Sequence, residues 1–179
     1  MPLLTMREYP DPILRQKAKN VDLKDPRLPG IVRDLFETMY HHSGVGLAAN
    51  QVGLDLNLTV IDCSGGDEPH ARLVLINPVV LGTEGTVEED EGCLSFPGLR
   101  AIARRGEFCR VRAYDLEGNV FEIESGGLLG KALQHETDHL AGKLFIDHLT
   151  LASRASVEGK LKQMKKDYQP QDKKPGARA

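Results

Sequence analysis

Two histidines four residues apart are the side chains whose spacing points most directly to chemistry. His135 and His139 enclose Glu136 in the run His135-Glu136-Thr137-Asp138-His139. Because residues four apart lie one above the other on a helix, both imidazoles can face a single metal ion. Glu136 can then reach a water on that ion without binding the metal itself. The pattern predicts metal-dependent hydrolysis of an amide bond.

Such a site needs a third protein ligand and one open coordination position. Downstream, Asp147 and His148 follow the helix end closely and are poorly placed to turn back. Upstream, Cys93 follows Gly92, which permits close backbone approach, and the acidic run 88–91. From spacing alone, a ligand and a buried core thiol explain Cys93 equally well. Two imidazoles and a thiolate suit zinc or iron(II), and ligand softness does not choose between them.

A segment rich in small residues runs from Gly44 to Gln51. Its two glycines and two alanines allow the chain to pass close to another backbone, such as that of a peptide substrate. The amide of Gln51 can donate to a developing oxyanion. Helix packing explains such runs more often, so this segment alone does not establish a site.

Together, these three segments resemble the motifs of the peptide deformylase family, whose members remove the formyl group from the initiator methionine of new polypeptides. The motifs occur in the family's order, as G-x-G-hydrophobic-A-A-x-Q at 44–51, E-G-C-hydrophobic-S at 91–95 and H-E-x-D-H at 135–139. The stretch 9–15 also resembles the family's N-terminal region, so the similarity covers about residues 4–150. The resemblance implies a hydrolase that releases formate.

The resemblance also implies a metal site. Its ligands are expected to be Cys93, His135 and His139, with a water in the fourth position. The implied cofactor is one divalent ion, iron(II) in the cell, with zinc, nickel or cobalt replacing it in purified protein. Two residues depart from the family pattern: Thr137, which replaces the usual apolar residue but is not a ligand, and the acidic Glu89, which lies near the expected methionine pocket.

Four further residues receive catalytic roles from the resemblance. Glu136 is expected to act as general base and then general acid. Gln51 and the backbone N–H of Leu94 are expected to stabilise the oxyanion, with Gly46 next to them.

A substrate pocket is predicted beside the metal. Leu128, Ala132 and His135 lie at positions i, i+4 and i+7, and therefore on one helix face. Burying a methionine side chain in such an apolar slot would contribute about 1.5–3 kcal/mol. The residues expected to contact the substrate are Val45, Gly92, Arg100, Leu128 and Ala132. For Arg100, contact with the peptide backbone and simple solvation remain equally open.

Asp138, next to a ligand, is a further candidate. It is hypothesised to support the site by pairing with Arg105, because metal ligands commonly need such outer partners.

Hydrophobic periodicity predicts the elements that position these residues. Helices are predicted at 27–42, from Leu128 to Gly142, and near 150–166. The last has Leu151, Ala155 and Leu161 on one side. Strands are predicted at 58–61, 73–76, 108–114 and 120–123. Because no regular βαβ alternation appears, we expect an α+β fold: a single domain with small antiparallel β-sheets around a central metal-binding helix, plus a C-terminal helix.

Composition is that of an ordinary globular protein. The 179 residues, 40% hydrophobic and 27% charged, fit one catalytic domain over 1–166 and a disordered basic tail over 167–179. Cys63 and Cys109 fall in strand patterns and are interpreted as core thiols. No apolar run reaches the roughly 18 residues of a membrane span, and the N-terminus lacks signal-peptide features, so a cytoplasmic protein is expected.

The net charge of −3 conceals a basic C-terminal region, since residues 152–179 carry 8 Lys and Arg against 3 Asp and Glu. Lys160, Lys162, Lys165 and Lys166 lie on the last predicted helix. Either this is a solvated helix end, or it docks to ribosomal RNA, as the resemblance suggests. The implied partners are nascent formyl-Met polypeptides and, in the second case, the ribosome, with no membrane and no DNA.

Two other functions are compatible with parts of the sequence. A general zinc peptidase would cut an internal bond whether the substrate carried a formyl or an acetyl group. A non-catalytic metal- or RNA-binding module would leave Glu136 and an open coordination position without purpose, and one basic tail does not make an RNA-binding face.

Overall fold

The computed structural model describes residues 3–170, which form three α-helices and seven β-strands. The helices are α1 (Leu28–His41), α2 (Gly127–Leu140) and α3 (Leu151–Asp167). The strands are β1 (Gly46–Ala48), β2 (Leu58–Ile61), β3 (Leu73–Glu84), β4 (Val87–Gly92), β5 (Arg100–Arg105), β6 (Phe108–Tyr114) and β7 (Val120–Gly126). The predicted α+β class, with antiparallel sheets and a C-terminal helix, is confirmed. Within these residues, no helix is both long and apolar enough to cross a membrane.

The strands form two antiparallel sheets around α2. Five strands pair in the order β1-β2-β3-β6-β7, and β4 pairs with β5. In β6, Cys109, Val111 and Ala113 are buried while the arginines between them are exposed, as the alternation predicts. These buried residues form one apolar cluster with Ala132 and Leu133 of α2. The larger sheet therefore supports the helix that carries both histidines.

Helix α1 covers another part of the same sheet. Val32, Leu35, Phe36 and Met39 are buried along one stripe of the helix. They form a cluster with residues of β1 and β2, among them Leu47. The predicted helix over 27–42 is confirmed to within a residue at either end.

The hairpin of β4 and β5 was not predicted. Apart from Ile102, its exposed residues are charged, with Arg104 2.7 Å from Glu88 and Arg100 2.5 Å from Asp90. Acidic residues have low strand propensity, and the pairing of these two strands joins residues about eight to eighteen positions apart. Strand β1 was also missed, and β3 continues to Glu84 rather than ending at Ile76.

The predicted apolar side of α3 was right for Leu161, which is buried, and wrong for Leu151 and Ala155. Leu151 is 91% exposed, and Ala155 is exposed as well. Thr150 caps the helix by accepting a hydrogen bond from the Ser153 N–H. The first turns then lie on the surface, and Val157 and Leu161 form an apolar cluster with Phe96 and Phe145.

The prediction of a disordered tail falls mostly on residues 171–179, which are outside the described residues. The limits of the catalytic domain stay a prediction.

Candidate metal centre and active site

Helix α2 enters the site through a glycine-rich turn. Gly127 has a φ of +57°, a left-handed conformation that favours glycine. A Cβ on Gly130 would overlap the Ser125 carbonyl oxygen. Gly127 and Gly130 therefore allow α2 to begin tightly against the end of β7.

The structure brings together the three residues predicted as metal ligands. On α2, the Nε2 atoms of His135 and His139 are 3.2 Å apart. Cys93 directly follows β4, and its Sγ lies 3.2 Å from the His139 Nε2. The three ligand atoms all lie within 4.8 Å of one another. Zn–S and Zn–N bonds of about 2.3 and 2.0 Å in a tetrahedron separate ligand atoms by roughly 3.3–3.6 Å, so this donor set fits one ion.

Glu91 contacts the His135 ring on the side away from the other ligands, and its Oε1 lies 2.5 Å from the His135 Nδ1. Arg105 donates to the same carboxylate from Nη2 at 2.7 Å and from Nε at 3.0 Å. Burial would raise the pKa of Glu91, but these hydrogen bonds outweigh it and lower the pKa to about 2. The carboxylate is therefore charged, and it fixes the imidazole with Nε2 toward the other two ligand atoms.

Arg105 also contacts the second histidine's neighbour. Its Nη1 lies 2.5 Å from the Asp138 Oδ2, so the hypothesised Asp138–Arg105 pair exists. The Arg105 side chain is only 3% exposed. One buried guanidinium therefore pairs with two carboxylates: that of Glu91, which contacts His135, and that of Asp138, which is next to His139.

His139 is positioned through its backbone and its burial. Asn50 donates its side-chain N–H to the His139 carbonyl oxygen at 2.5 Å. Burial, together with the nearby His135, holds the pKa of His139 well below its usual range. The imidazole is thus neutral, which is the form that binds a metal.

Glu136 lies against the backbone of β1. A Cβ on Gly46 would stand 2.5 Å from the Glu136 Oε1, so only glycine leaves space for this carboxylate. The Oε2 atom is buried and has no hydrogen-bond partner among residues 3–170. Burial raises the pKa of Glu136 to about 7 despite the opposing effect of His135. A carboxylate oxygen thus remains free next to the ligand atoms.

Gln51 is oriented by its neighbours. The Ala48 N–H donates to the Gln51 Oε1 at 2.9 Å, which turns Nε2 toward Ser95 Oγ at 3.2 Å and Cys93 Sγ at 3.5 Å. The segment 44–51 includes β1 and a 3-10 turn and is not itself helical. Helix packing accounts for its alanines, because Ala48 packs with Leu140 of α2 and Ala49 belongs to the cluster around α1, whereas Gly46 and Gln51 line the cavity described next.

A cavity of about 430 Å³ opens beside these groups. All five residues predicted to contact the substrate line it, as do Gly46, Gln51 and Leu94. Arg100 is 65% exposed and pairs with Asp90 at the cavity, so its contact with a peptide stays a prediction. Lys131 also lines the cavity, although the sequence patterns had not singled it out.

Comparison with known proteins decides the family. The family model for polypeptide deformylase matches residues 3–155. The chain belongs to this family. A peptide deformylase of Syntrophobacter fumaroxidans is 47% identical over 167 residues, which are 93% of this chain and 98% of the relative. One from Methylacidiphilum infernorum is 43% identical, covering 92% and 94%.

Solved deformylase structures agree. The crystal structure of a peptide deformylase from Legionella pneumophila matches with a TM-score of 0.83 at 40% identity, covering 94% of this chain and 100% of that one. A mutant of Arabidopsis thaliana peptide deformylase 1B matches with a TM-score of 0.88 at 37% identity, covering 98% and 100%. As a deformylase, the chain is a hydrolase that removes the N-formyl group from nascent polypeptides. The peptidase and the non-catalytic module are not supported.

Sequence reasoning missed two polar supports of this deformylase site. Glu91 belongs to the quoted motif, and its position two residues before Cys93 on a strand could have marked it as facing α2. Asn50 immediately precedes Gln51 and gave no signal of its own, because its partner is a backbone carbonyl 89 residues away.

Proposed function

We propose that deformylation takes place at one divalent ion held by Cys93, His135 and His139. The observation that carries this proposal is the convergence of three ligand atoms within 4.8 Å beside a cavity. A bound ion would act as a Lewis acid and would lower the pKa of a coordinated water toward about 7. Three protein ligands leave a fourth position open for water or substrate, as catalysis requires.

Glu136 is the proposed general base and acid. Its unpartnered Oε2 lies next to the ligand set, where it accepts a proton from the attacking water. The same carboxyl group then delivers that proton to the leaving amine of the peptide. Gly46 serves this role by leaving space for the carboxylate.

Two donors are proposed to stabilise the oxygen of the formyl group as it gains negative charge. One is the Nε2 of Gln51, held in place by its contacts with Ala48 and Ser95. The other is the backbone N–H of Leu94, next to Cys93. Donors fixed in advance need no reorganisation during the reaction, which is the source of their catalytic effect.

The cavity is proposed to hold the first residue of the substrate. Val45, Leu128 and Ala132 provide an apolar surface for a methionine side chain. Gly92 permits close approach of the peptide backbone, and Arg100 contacts it further along. A formyl group is smaller than an acetyl group by one methyl, so a narrow cleft at the ligand set favours formyl substrates.

The assay compares formate release from formyl-Met-Ala-Ser with acetate release from acetyl-Met-Ala-Ser. We expect kcat/KM to be about 10- to 200-fold higher for the formyl peptide than for the acetyl peptide, because one additional methyl group has an effect of this size in a tight site. Equal rates for both peptides, or cleavage of an internal bond, would contradict the proposal.

Iron(II) is the proposed ion in the cell, with zinc, nickel or cobalt able to replace it in purified protein. The mixed imidazole and thiolate ligand set suits these borderline metals. Metal analysis of protein purified without oxygen, paired with formate release before and after exposure to air, tests the choice. An iron enzyme should lose activity in air, whereas a zinc enzyme should keep it.

The proposed setting is the cytoplasm, where nascent formyl-Met chains arise, and the proposed second partner is ribosomal RNA. Lys162 and Lys166 are exposed on α3, on the helix that carries the basic charge. Replacing both with glutamate should abolish co-sedimentation with ribosomes at low salt and leave peptide deformylation unchanged. Unchanged co-sedimentation would remove this partner.

A further inference from the structure

A charged pair lies beside the apolar part of the cavity. Lys131 lines the cavity between Leu128 and Ala132 on α2. Its Nζ is 2.8 Å from the Oε2 of Glu89 on β4. A lysine is unexpected among the residues that line a slot for a methionine side chain, and the reaction described above assigns it no task.

The placement of this pair follows from the packing of β4 along α2. Glu89 and Glu91 are two residues apart on a strand, so their side chains are on the same face. Glu91 contacts His135, and Glu89 contacts Lys131, which is one helical turn earlier. The Glu89–Lys131 contact is therefore equivalent to the Glu91–His135 contact but lies one helical turn further from the metal ligands. The proposed side-chain pocket extends in the same direction.

Burial and hydrogen-bonding capacity distinguish Lys131 from a solvated surface lysine. Its side chain is 20% exposed, whereas that of Glu89 is 50% exposed. An ammonium carries three donors, and Glu89 is its partner among residues 3–170. A residue that lines the cavity thus carries a partly buried donor, and its charge is balanced by Glu89, which does not itself line the cavity.

We propose that Lys131 and Glu89 determine which first residues the enzyme accepts. This inference rests on the proposed use of the cavity for the first side chain of the substrate. Lys131 donates a hydrogen bond to a neutral acceptor at the end of that side chain, such as the sulfoxide oxygen of oxidised methionine. Glu89 repels a carboxylate at the same place. The favoured class is therefore formyl peptides that begin with methionine or with a side chain of similar length ending in a neutral acceptor.

The test measures kcat/KM of the metal-loaded enzyme for three peptides, formyl-Met-Ala-Ser, formyl-Met-sulfoxide-Ala-Ser and formyl-Glu-Ala-Ser. Lys131→Met should lower the sulfoxide-to-methionine ratio by about 3- to 10-fold, because a hydrogen bond to a charged donor is lost at a partly exposed position. Glu89→Gln should raise the glutamate-to-methionine ratio by a similar factor, since it removes the repelling carboxylate. Glu89→Gln should raise the glutamate-to-methionine ratio, whereas Lys131→Met should lower the sulfoxide-to-methionine ratio. If Lys131→Met folds poorly, Glu89→Gln still tests the proposal.

Lys19→Met is the matched control. Lys19 forms a 2.7 Å ion pair with Asp55 and does not line the cavity. This variant should leave both ratios unchanged. Ratios within two-fold of the parent in both Lys131→Met and Glu89→Gln would overturn the inference and leave the proposed function intact. If the parent released no formate from formyl-Met-Ala-Ser, the proposed function itself would be wrong.

Discussion

Replacing Gly46 with alanine should displace the Glu136 carboxylate without removing any polar group. The added Cβ would lie 2.5 Å from the Glu136 Oε1, 2.8 Å from its Cγ and 2.9 Å from its Cδ. Ordinary van der Waals contact begins near 3.4 Å, so the carboxylate must move by about 0.9 Å. Glu136 is buried on α2 beside His135, and the packed helix leaves it little freedom to avoid the clash.

The expected cost falls on the chemical step. A misplacement of about 1 Å in a catalytic group can lower the rate about 100-fold, which corresponds to about 2.7 kcal/mol of transition-state stabilisation. We therefore expect kcat for formate release from formyl-Met-Ala-Ser to fall about 100-fold in Gly46→Ala. The bound metal should stay near the parent amount, because the three atoms nearest to the new methyl group all belong to Glu136 and none to a proposed ligand.

The assay needs kcat, KM, metal content and urea unfolding for the same preparations. Gly30→Ala is the control, since a Cβ there meets no atom within 4 Å. On α1 it should raise the free energy of unfolding by about 0.5–1 kcal/mol and leave kcat unchanged. A parental kcat in Gly46→Ala would refute the assignment of Glu136, and loss of the metal would show that the substitution acts elsewhere.

Three further perturbations test other parts of the site and the fold. Glu136→Gln should keep the metal and lower kcat by about 10²- to 10⁴-fold, and a variant above a tenth of the parental kcat would contradict the general-base role. Arg105→Met should lower metal affinity about 10- to 100-fold and the free energy of unfolding by about 3–5 kcal/mol, because it leaves buried carboxylates unpaired. The exposed neighbour Arg104→Met should change stability by no more than about 1 kcal/mol in urea unfolding, and equal effects of the two would refute the buried network. Gly142→Ala, at a φ of +74° and with its Cβ 2.6 Å from the Arg15 carbonyl oxygen, should cost about 1–3 kcal/mol, and an unchanged urea midpoint would contradict that.

Local periodicity predicted the elements whose burial is regular along the sequence. In α1 the buried stripe repeats at helical spacing, and in β6 burial alternates strictly. Both patterns arise from one apolar surface that each element packs against, so they are readable without knowledge of the partner.

The missed elements lack such a pattern because distant residues define them. Strand β4 is mostly acidic, and its strand conformation depends on pairing with β5 and on contacts with α2. On α3, exposed and buried apolar residues occur in the same helix, and Leu151 resembles Val157 in type but not in environment. Hydrophobic character alone did not distinguish them.

For the site, the motifs identified the residues but not how they are held. Spacing placed His135 and His139 on one face, and the structure places Cys93 beside them. The Asp138–Arg105 pair was hypothesised from the sequence and exists in the structure. The contacts of Glu91 with His135 and Arg105 went unpredicted, because they depend on how the β4–β5 hairpin packs against α2. The same contact brings Lys131 to Glu89, which is why this pair became visible only in three dimensions.

Metal stoichiometry of a cysteine variant tests the central proposal most directly. Protein purified without oxygen should carry about one divalent ion per chain, and Cys93→Ala should lose most of that ion together with formate release. Cys63→Ala, which removes a half-buried thiol outside the ligand set, should retain both. A Cys93→Ala protein that kept its full metal content and the parental rate would contradict the proposed centre.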